Sequence, residues 1–425
     1  MRVLVLGANY FPEKTAVAPF ATGLSEYLAA KNHEVTIITA FPYYPEWRVW
    51  DGYRRRLYQR ERINGVNLRR VWHFVPSRAS NLTLRLAHDL SYTLAVLFAG
   101  LFAGRFDVIC CISPPPTLAI TALLLAKLRR KPHVIVLTDL ASDAALATGI
   151  MKEGLVVGLA RAFEGFIYRQ ADRVVCICHG FVERLTARGI APEKLVLIPL
   201  WGDTQQVYPI AGATQFRRDN QLTEKQFLVM HTGNMGKKQN LMNIVRAAEL
   251  SENIEDLVWL LVGQGEERSA LEEAIRRRKL RNIRLLPLQP AEGLAQMYSA
   301  ADLLLLNQKA AIGDSVIPSK LLTYMAAGRT VLAAVSDKSE TARYVERAQC
   351  GLIVHPEDPK ALVEAVLSLR RDPARLEKLG ANGRVYVQRH FAKEKVLHEY
   401  DLLFSRYAGG VQAGAQASKN AVAAS

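Results

Sequence analysis

Two lysine-bearing loops stand where apolar runs give way to helix-like sequence in the second half of this chain. The run Phe227–His231 passes into Thr232-Gly-Asn-Met-Gly-Lys-Lys-Gln-Asn-Leu241. Gly233 and Gly236 let backbone come close to a ligand, and Lys237 and Lys238 fall where a helix begins. The stretch Asn307–Thr330 repeats the arrangement, with Leu303–Leu306 before it and Val331–Val335 after it. Pro318 suits the first turn of its helix, and Gly328 closes that helix. Ser319 and Lys320 then lie among the free N–H groups of a helix start. Ammonium groups beside free N–H groups suit a diphosphate. With Asp314 on the same loop, the stretch could hold a diphosphate and a sugar. Each loop, taken alone, also fits an ordinary charged strand–helix crossover.

Carboxylates occupy the corresponding place in the first half. The run His133–Leu137 is followed by Thr138-Asp-Leu-Ala-Ser-Asp143. Asp139 and Asp143 have the position of a general base or a sugar-hydroxyl ligand; Asp139 could equally cap the next helix. His179 and Trp201-Gly-Asp203 also follow apolar runs, near the expected domain junction. The GxxxxGK[ST] order of a P-loop is absent, and Val262-Gly-Gln-Gly265 is a lone GxG. The first run leads into Gly7-Ala-Asn-Tyr10 without GxGxxG, which argues against a dinucleotide oxidoreductase.

These loops need strands and helices to hold them. Buried strands are expected at Arg2–Gly7 and His33–Thr39, with further runs beginning at Val66, Asp107, His133, Arg173 and Leu195. The pattern restarts after Tyr208, with strands at Phe227–His231, Leu257–Val262, Ile283–Leu286, Asp302–Leu306, Thr330–Ala334 and Gly351–Val354. Helices are expected at Ala16–Ala30, Leu241–Leu250 and Glu266–Arg278, and as one run over Pro373–Tyr407. Strands alternating with helices predict two doubly wound parallel-sheet α/β domains with ligands at the strands' carboxyl ends. Length and composition agree: 425 residues, half of them hydrophobic, allow two or three domains with ample core.

Basic residues outnumber acidic ones by 55 to 40, and the isoelectric point is near 9.6. Such a balance favours polyanions, membrane surfaces or nucleotide substrates. Much of it lies in residues 48–105, which hold eleven arginines and three acids. Leu90–Gly104 then runs fifteen residues without a charge, short of the roughly 20 a spanning helix needs. Arg78, Arg85 and Arg105 flank it, so it is expected to rest on an anionic membrane surface with its apolar face in the interface. The other reading is a core helix beside a solvated basic face. No nucleic-acid-binding fold accompanies the charge. The five cysteines, Cys110, Cys111, Cys176, Cys178 and Cys350, lack zinc spacing and read as buried thiols of a reducing compartment. Cys176 and Cys178 are expected on one strand face. Met1-Arg2 leads straight into a strand rather than a signal peptide.

Taken together, Asn9-Tyr-Phe-Pro-Glu13, Pro42-Tyr-Tyr-Pro-Glu-Trp47, Gly233-Asn-Met-Gly-Lys-Lys-Gln239, Val262-Gly-Gln-Gly265 and Pro318-Ser-Lys320 with Met325-Ala-Ala-Gly328 resemble the family 4 glycosyltransferases of GT-B fold. The resemblance covers nearly all of residues 1–408. Within the family it is closest to the colanic-acid and exopolysaccharide subgroup and is fucosyltransferase-like. It implies metal-independent, retaining transfer from a GDP- or UDP-linked sugar to a saccharide on a polyprenyl diphosphate, at the cytoplasmic face of the membrane. No cofactor is expected. Lys238 matches the family's diphosphate-binding lysine. The base and ribose would lie near Gly263, Pro287 and Leu288, with Gly233, Asn234, Lys237, Ser319 and Pro318 also on the donor side. Asn9, Tyr10, Asp143, His179 and Trp201 would face the acceptor.

The chain departs from the family pattern at several points. Ser315 and Thr323 stand where glutamates are usual, leaving Asp314 as the nearest sugar-binding acid. Asn234 replaces an arginine, Thr138 a histidine, and Ala16 and Ala18 a glycine pair. The expected domains are 1–205 for the acceptor, 206–385 for the nucleotide sugar, a returning helix over 386–408 and a disordered tail over 409–425. A nucleotide-sugar epimerase of the same fold and a non-catalytic membrane scaffold are the alternative readings.

Overall fold

The structure, a computed structural model, describes residues 1–15, 17–77, 81–147, 153–212, 214–310 and 319–409. Asp314, Ser315 and Pro318 lie outside the described residues, as do Ala16, Arg78 and the tail 410–425. The chain divides into two compact units, Met1–Pro199 with Leu397–Ser425, and Leu200–Val396. The first unit therefore ends at Pro199 rather than 205, and the chain returns to it at Leu397 rather than 386.

Eight strands build the first unit's sheet. They are β1 (Arg2–Leu6), β2 (Glu34–Ala40), β3 (Tyr58–Ile63), β4 (Val66–Val71), β5 (Val108–Ser113), β6 (His133–Leu137), β7 (Arg173–Cys176) and β8 (Leu195–Leu197). The order is β3-β4-β2-β1-β5-β6-β7-β8. Every residue of β5 and β6 is buried, as continuous apolar runs require when helices cover both faces. Those helices are α1 (Ala18–Ala30), α2 (Leu82–Leu101), α3 (Leu118–Arg129), α4 (Ala141–Ala147), α5 (Leu155–Gln170) and α6 (His179–Ala187).

Residues 48–105 are thus built into the unit rather than forming a separate segment. They include an antiparallel β3–β4 hairpin, which the sequence reading did not anticipate beyond the run at Val66. Asn64 and Gly65, with φ of 47° and 82°, make its turn. Helix α2 buries Tyr92, Val96 and Gly100. A Cβ on Gly100 would come within 2.4 Å of Leu125, so α2 and α3 pack closely there. Strand β7 ends at Cys176, and Cys178 is instead the N-cap of α6; all five thiols are buried.

The second unit's sheet is wholly parallel, with β9 (Phe227–Asn234), β10 (Leu257–Gln264), β11 (Ile283–Leu286), β12 (Leu303–Asn307), β13 (Thr330–Ala334) and β14 (Gly351–Val354) in the order β11-β10-β9-β12-β13-β14. Side-chain alternation splits its core: Leu228, Met230, Leu260 and Val262 join one cluster, while Val229, Leu257, Trp259 and Leu261 join the other. Its helices are α7 (Gln215–Asp219), α8 (Met242–Leu250), α9 (Arg268–Arg278), α10 (Leu294–Ala300), α11 (Ser319–Ala326), α12 (Glu340–Ala348), α13 (Pro359–Arg370) and α14 (Pro373–His390).

The expected single helix over Pro373–Tyr407 is two, α14 and α15 (Lys393–Ala408). The break falls where Phe391 buries against Tyr344 and Ala392 bridges to Gly202. Helix α14 needs Gly380 and Gly383: a Cβ on Gly380 would meet the Gly328 carbonyl at 2.3 Å. From Leu397 onward, α15 belongs to the first unit, where Asp401 contacts His33 at 2.7 Å and Tyr400 meets Phe20 edge-on.

Candidate active site

Strand order in the second unit reverses between β9 and β12, the place where open α/β sheets take ligands. Both lysine loops arrive there. Gly233 pairs with Gly263 across β9 and β10, and a Cβ on Gly263 would lie 1.9 Å from the Gly233 carbonyl. Backbone is therefore bare at both strand ends. The same absence of side chain admits Lys320 of α11, whose Cε would meet a Cβ on Gly233 at 2.8 Å. Lys320 Nζ lies 3.3 Å from His231 Nε2. The other ring nitrogen, Nδ1, donates to the Leu305 carbonyl at 3.0 Å, so Nε2 is the acceptor and the ammonium donates. Burial pulls the Lys320 pKa down to about 8. Burial first, then the Lys320 charge, holds His231 well below the ordinary imidazole range, so the ring is neutral.

Lys237 and Lys238 form one turn of 3-10 helix, Lys237–Gln239, opened by Gly236. Buried Asn307, at the end of β12, pins that turn. Its Nδ2 donates to the Gln239 carbonyl at 2.6 Å and the Asn240 carbonyl at 3.0 Å. The Lys309 N–H adds a bond to the Lys238 carbonyl at 3.0 Å. On the β10 side, Met235 bonds Gln264 and Glu267 through backbone, and Arg268 donates to the carbonyls of Gly263 and Leu286. Asn234, Pro287 and Leu288 are exposed at the same carboxyl ends. Ser319 opens α11, and the Thr323 hydroxyl turns back onto the Ser319 carbonyl at 3.2 Å. Gly328 ends the helix with φ of 65°, as its sequence position requires.

The donor-side residues Gly233, Asn234, Lys237, Lys238, Gly263, Pro287, Leu288, Ser319, Lys320 and Thr323 thus belong to strand ends, connecting turns and the first turns of α11 at one edge of one sheet. His231, Asn307 and Arg268 were not foreseen. The sequence signals for the first two are a histidine and an asparagine closing apolar strands; Arg268, at the start of α9, has none.

In the first unit the order reverses between β1 and β5. The loop after β1 carries Asn9, Tyr10 and Glu13, and the buried Glu13 carboxylate organises it. Glu13 accepts from the Tyr43 N–H at 2.8 Å, the Tyr44 N–H at 2.7 Å and Asn9 Nδ2 at 2.9 Å. Tyr10 is fully buried, which removes it from an acceptor-facing surface. Asp139 is half-buried just ahead of α4. Asp143 is buried within a cluster of arginines, with Arg188 at 2.6 Å, Arg184 at 3.2 Å and Arg161 at 3.4 Å. Its oxygens tie α4 to α5 and α6, a structural task in place of the acceptor role expected of it. His179 begins α6. Trp201 falls in the second unit, with Lys393 Nζ 6.0 Å from its ring, rather than in the acceptor half.

Residues 15–201 match the family model described as a glycosyl transferase 4-like domain, and residues 213–386 match that of the glycosyl transferases group 1. An Escherichia coli (strain K12) protein named as a colanic acid biosynthesis glycosyl transferase, WcaI, is 32% identical over 94% of this chain and 98% of its own. The chain belongs to the family 4 glycosyltransferases. Its two parallel-sheet α/β units have the GT-B fold of the solved relatives. Sucrose-phosphate synthase from Thermosynechococcus elongatus aligns with a TM-score of 0.74 at 19% identity, covering 96% of this chain and 100% of that one. Anabaena HepE, solved with UDP and glucose, aligns with a TM-score of 0.69 at 14% identity, covering 95% and 99%. Neither the epimerase nor the scaffold reading gains support from these relatives. No helix among the described residues is long and apolar enough to cross a membrane.

Proposed function

We propose that this glycosyltransferase moves a sugar, with retention, from a GDP- or UDP-linked donor to a lipid-linked saccharide in exopolysaccharide, capsule or O-antigen synthesis. One observation carries the reading: the Lys320 ammonium is held against the bare backbone of Gly233 where the strand order reverses. As the bond from sugar to diphosphate breaks, negative charge grows on the departing oxygen. Lys238, Lys320 and the free N–H groups of α11 meet that charge without reorganising and without a metal. The acceptor hydroxyl attacks from the leaving group's own face and passes its proton to a phosphate oxygen.

Asp139 orients the acceptor hydroxyl. Asp314 keeps the donor-sugar role on its sequence position alone. Exposed Leu288 and Pro287 beside Gly263 offer the base an apolar edge. The name of the E. coli relative supports a polysaccharide product, and the UDP and glucose bound to the Anabaena relative support a nucleotide-sugar donor. The apolar outer row of α2 beside basic residues supports attachment to the inner membrane face.

The test is nucleoside diphosphate release from a panel of nucleotide sugars, with and without a lipid-linked saccharide, followed by anomeric analysis of the product. Acceptor-dependent release and an unchanged anomeric configuration are expected. Interconversion of the nucleotide sugar without acceptor, or an inverted product, overturns the proposal.

A further inference from the structure

The exposed side of α2 and its C-cap carry Leu86, Leu90, Leu94, Phe98 and Phe102 at every fourth position, Phe98 being 65% and the C-cap Phe102 74% exposed. Positions four apart form a row along a helix. Beside the end of that row, the β3–β4 hairpin adds Leu57, Tyr58 and Trp72, also exposed. The two elements enclose an apolar groove of about 620 Å³, with Arg60 on its lining and its guanidinium over the Tyr58 ring. Trp72 is also a wall of a second, smaller pocket of about 90 Å³. That pocket is lined by Arg54, Arg55, Arg56 and His73. His73 is 2% exposed, and among the described residues neither ring nitrogen has a hydrogen-bond partner. A buried imidazole so placed costs free energy unless something fills its bonding capacity.

We propose that the two cavities form one site for the carrier of the acceptor: an isoprenoid chain in the α2/β3–β4 groove, its phosphate or diphosphate head against Arg54–Arg56 and His73. The inference rests on the lipid-linked acceptor proposed above. Charge and polarity select the occupant. Trp72 lines both the apolar groove and the arginine pocket, and one molecule with an apolar tail and an anionic head would answer both. Arg54 already pairs with Asp51 at 3.0 Å and Arg56 donates to Gln59 at 2.7 Å, so the cluster keeps an excess of positive charge that a neutral chain would not answer, while a free anion leaves the groove empty.

The site is tested by equilibrium binding of farnesyl diphosphate to the full chain, against inorganic diphosphate and farnesol. Farnesyl diphosphate should bind at least tenfold more tightly than either part. Arg54→Gln/Arg55→Gln/Arg56→Gln and, separately, Phe98→Ser/Phe102→Ser should each weaken it at least tenfold. All five side chains are exposed, so melting temperatures should hold. Lys238→Ala should leave this binding unchanged, because its lysine belongs to the donor loop. Equal binding of inorganic diphosphate, undiminished binding in both multiple variants, or a loss confined to Lys238→Ala overturns the site. Displacement by phosphatidylglycerol vesicles as effective as by vesicles doped with a polyprenyl diphosphate overturns it too, leaving a general anionic surface. The broader reading fails separately: it falls if sugar passes to soluble saccharides and lipid-linked ones give no advantage. If lipid-linked acceptors are used while the variants bind farnesyl diphosphate normally, only the site proposed here is lost.

Discussion

Lys320 Nζ and His231 Nε2 lie 3.3 Å apart, with the imidazole neutral and fixed as an acceptor by the Leu305 carbonyl. The ammonium is therefore positioned by a group that adds no charge. With a pKa of about 8, Lys320 is mostly protonated at neutral pH and loses its charge within reach of ordinary assays. Affinity for a nucleoside diphosphate should fall as pH rises through about 8, and Lys320→Arg should remove that dependence because a guanidinium stays charged. Stability runs the other way. The unfolded chain holds this proton up to about 10.5, so the fold gains stability as pH climbs from about 8 to 10.5. A flat pH profile for diphosphate binding by the wild type would place the anion elsewhere.

Lys238→Ala should cripple turnover and leave the melting temperature unchanged. Its side chain is partly exposed, and the turn is held through backbone groups that the substitution keeps. Losing one charged contact to the leaving diphosphate should cost about 2.7–4 kcal/mol of barrier, by analogy with oxyanion donors. Steady-state kinetics of the purified variant decide the matter. A near-normal kcat shifts the role to Lys237.

Asn307→Ala should impair catalysis without touching a charged group. It leaves the partly buried carbonyls of Gln239 and Asn240 without their side-chain donor and the buried Asn243 Nδ2 without an acceptor. The orphaned buried amide costs about 1–3 kcal/mol and the partly buried carbonyls less, so the melting temperature should drop. Because the turn that drifts carries Lys238, kcat should fall by more than affinity for the free nucleoside base. If activity per folded molecule is unchanged, the asparagine only stabilises the sheet edge.

Both loops were legible because each interrupts a sequence with a clear period. Leu303–Leu306 and Leu228–Met230 are apolar on both faces, which only a fully covered strand requires. Strand β3 was not legible. Tyr58-Gln-Arg-Glu-Arg-Ile63 lies at the sheet edge and carries polar groups on both faces, and only Asn64-Gly65 hinted at its hairpin. The break at Phe391–Ala392 has no proline or glycine to announce it; burial of Phe391 against Tyr344 makes it. His231 and Asn307 act through partners 64 to 89 residues away, a distance that periodicity does not reach. Asp143 misled for a related reason: a carboxylate at a strand's end looks the same in sequence whether it awaits a ligand or three arginines.

Glu13 joins two motifs that the sequence presented separately, Asn9–Glu13 and Pro42–Trp47, because one carboxylate accepts from Asn9, Tyr43 and Tyr44. Burial raises its pKa above the ordinary carboxylate value, and those three bonds oppose the shift. The folded state thus holds this proton more tightly than the unfolded chain. Its contribution to stability is greatest below about 4.5 and declines as pH rises through the folded value. At neutral pH the charge costs stability that the hydrogen bonds restore only in part. Two substitutions separate the parts. Glu13→Gln removes the charge and keeps an acceptor for Tyr43 and Tyr44, while Asn9 can turn its own amide oxygen towards the new amino group. Its melting temperature at pH 7 should equal or exceed that of the wild type. Glu13→Ala removes the acceptor and leaves buried donors unpaired at about 1–3 kcal/mol each, so it should melt lower and loosen both loops. KM for the acceptor should then rise in Glu13→Ala and stay near normal in Glu13→Gln, with KM for the donor unchanged in both. If Glu13→Ala melts and binds acceptor like the wild type, the two loops are held by something other than this carboxylate.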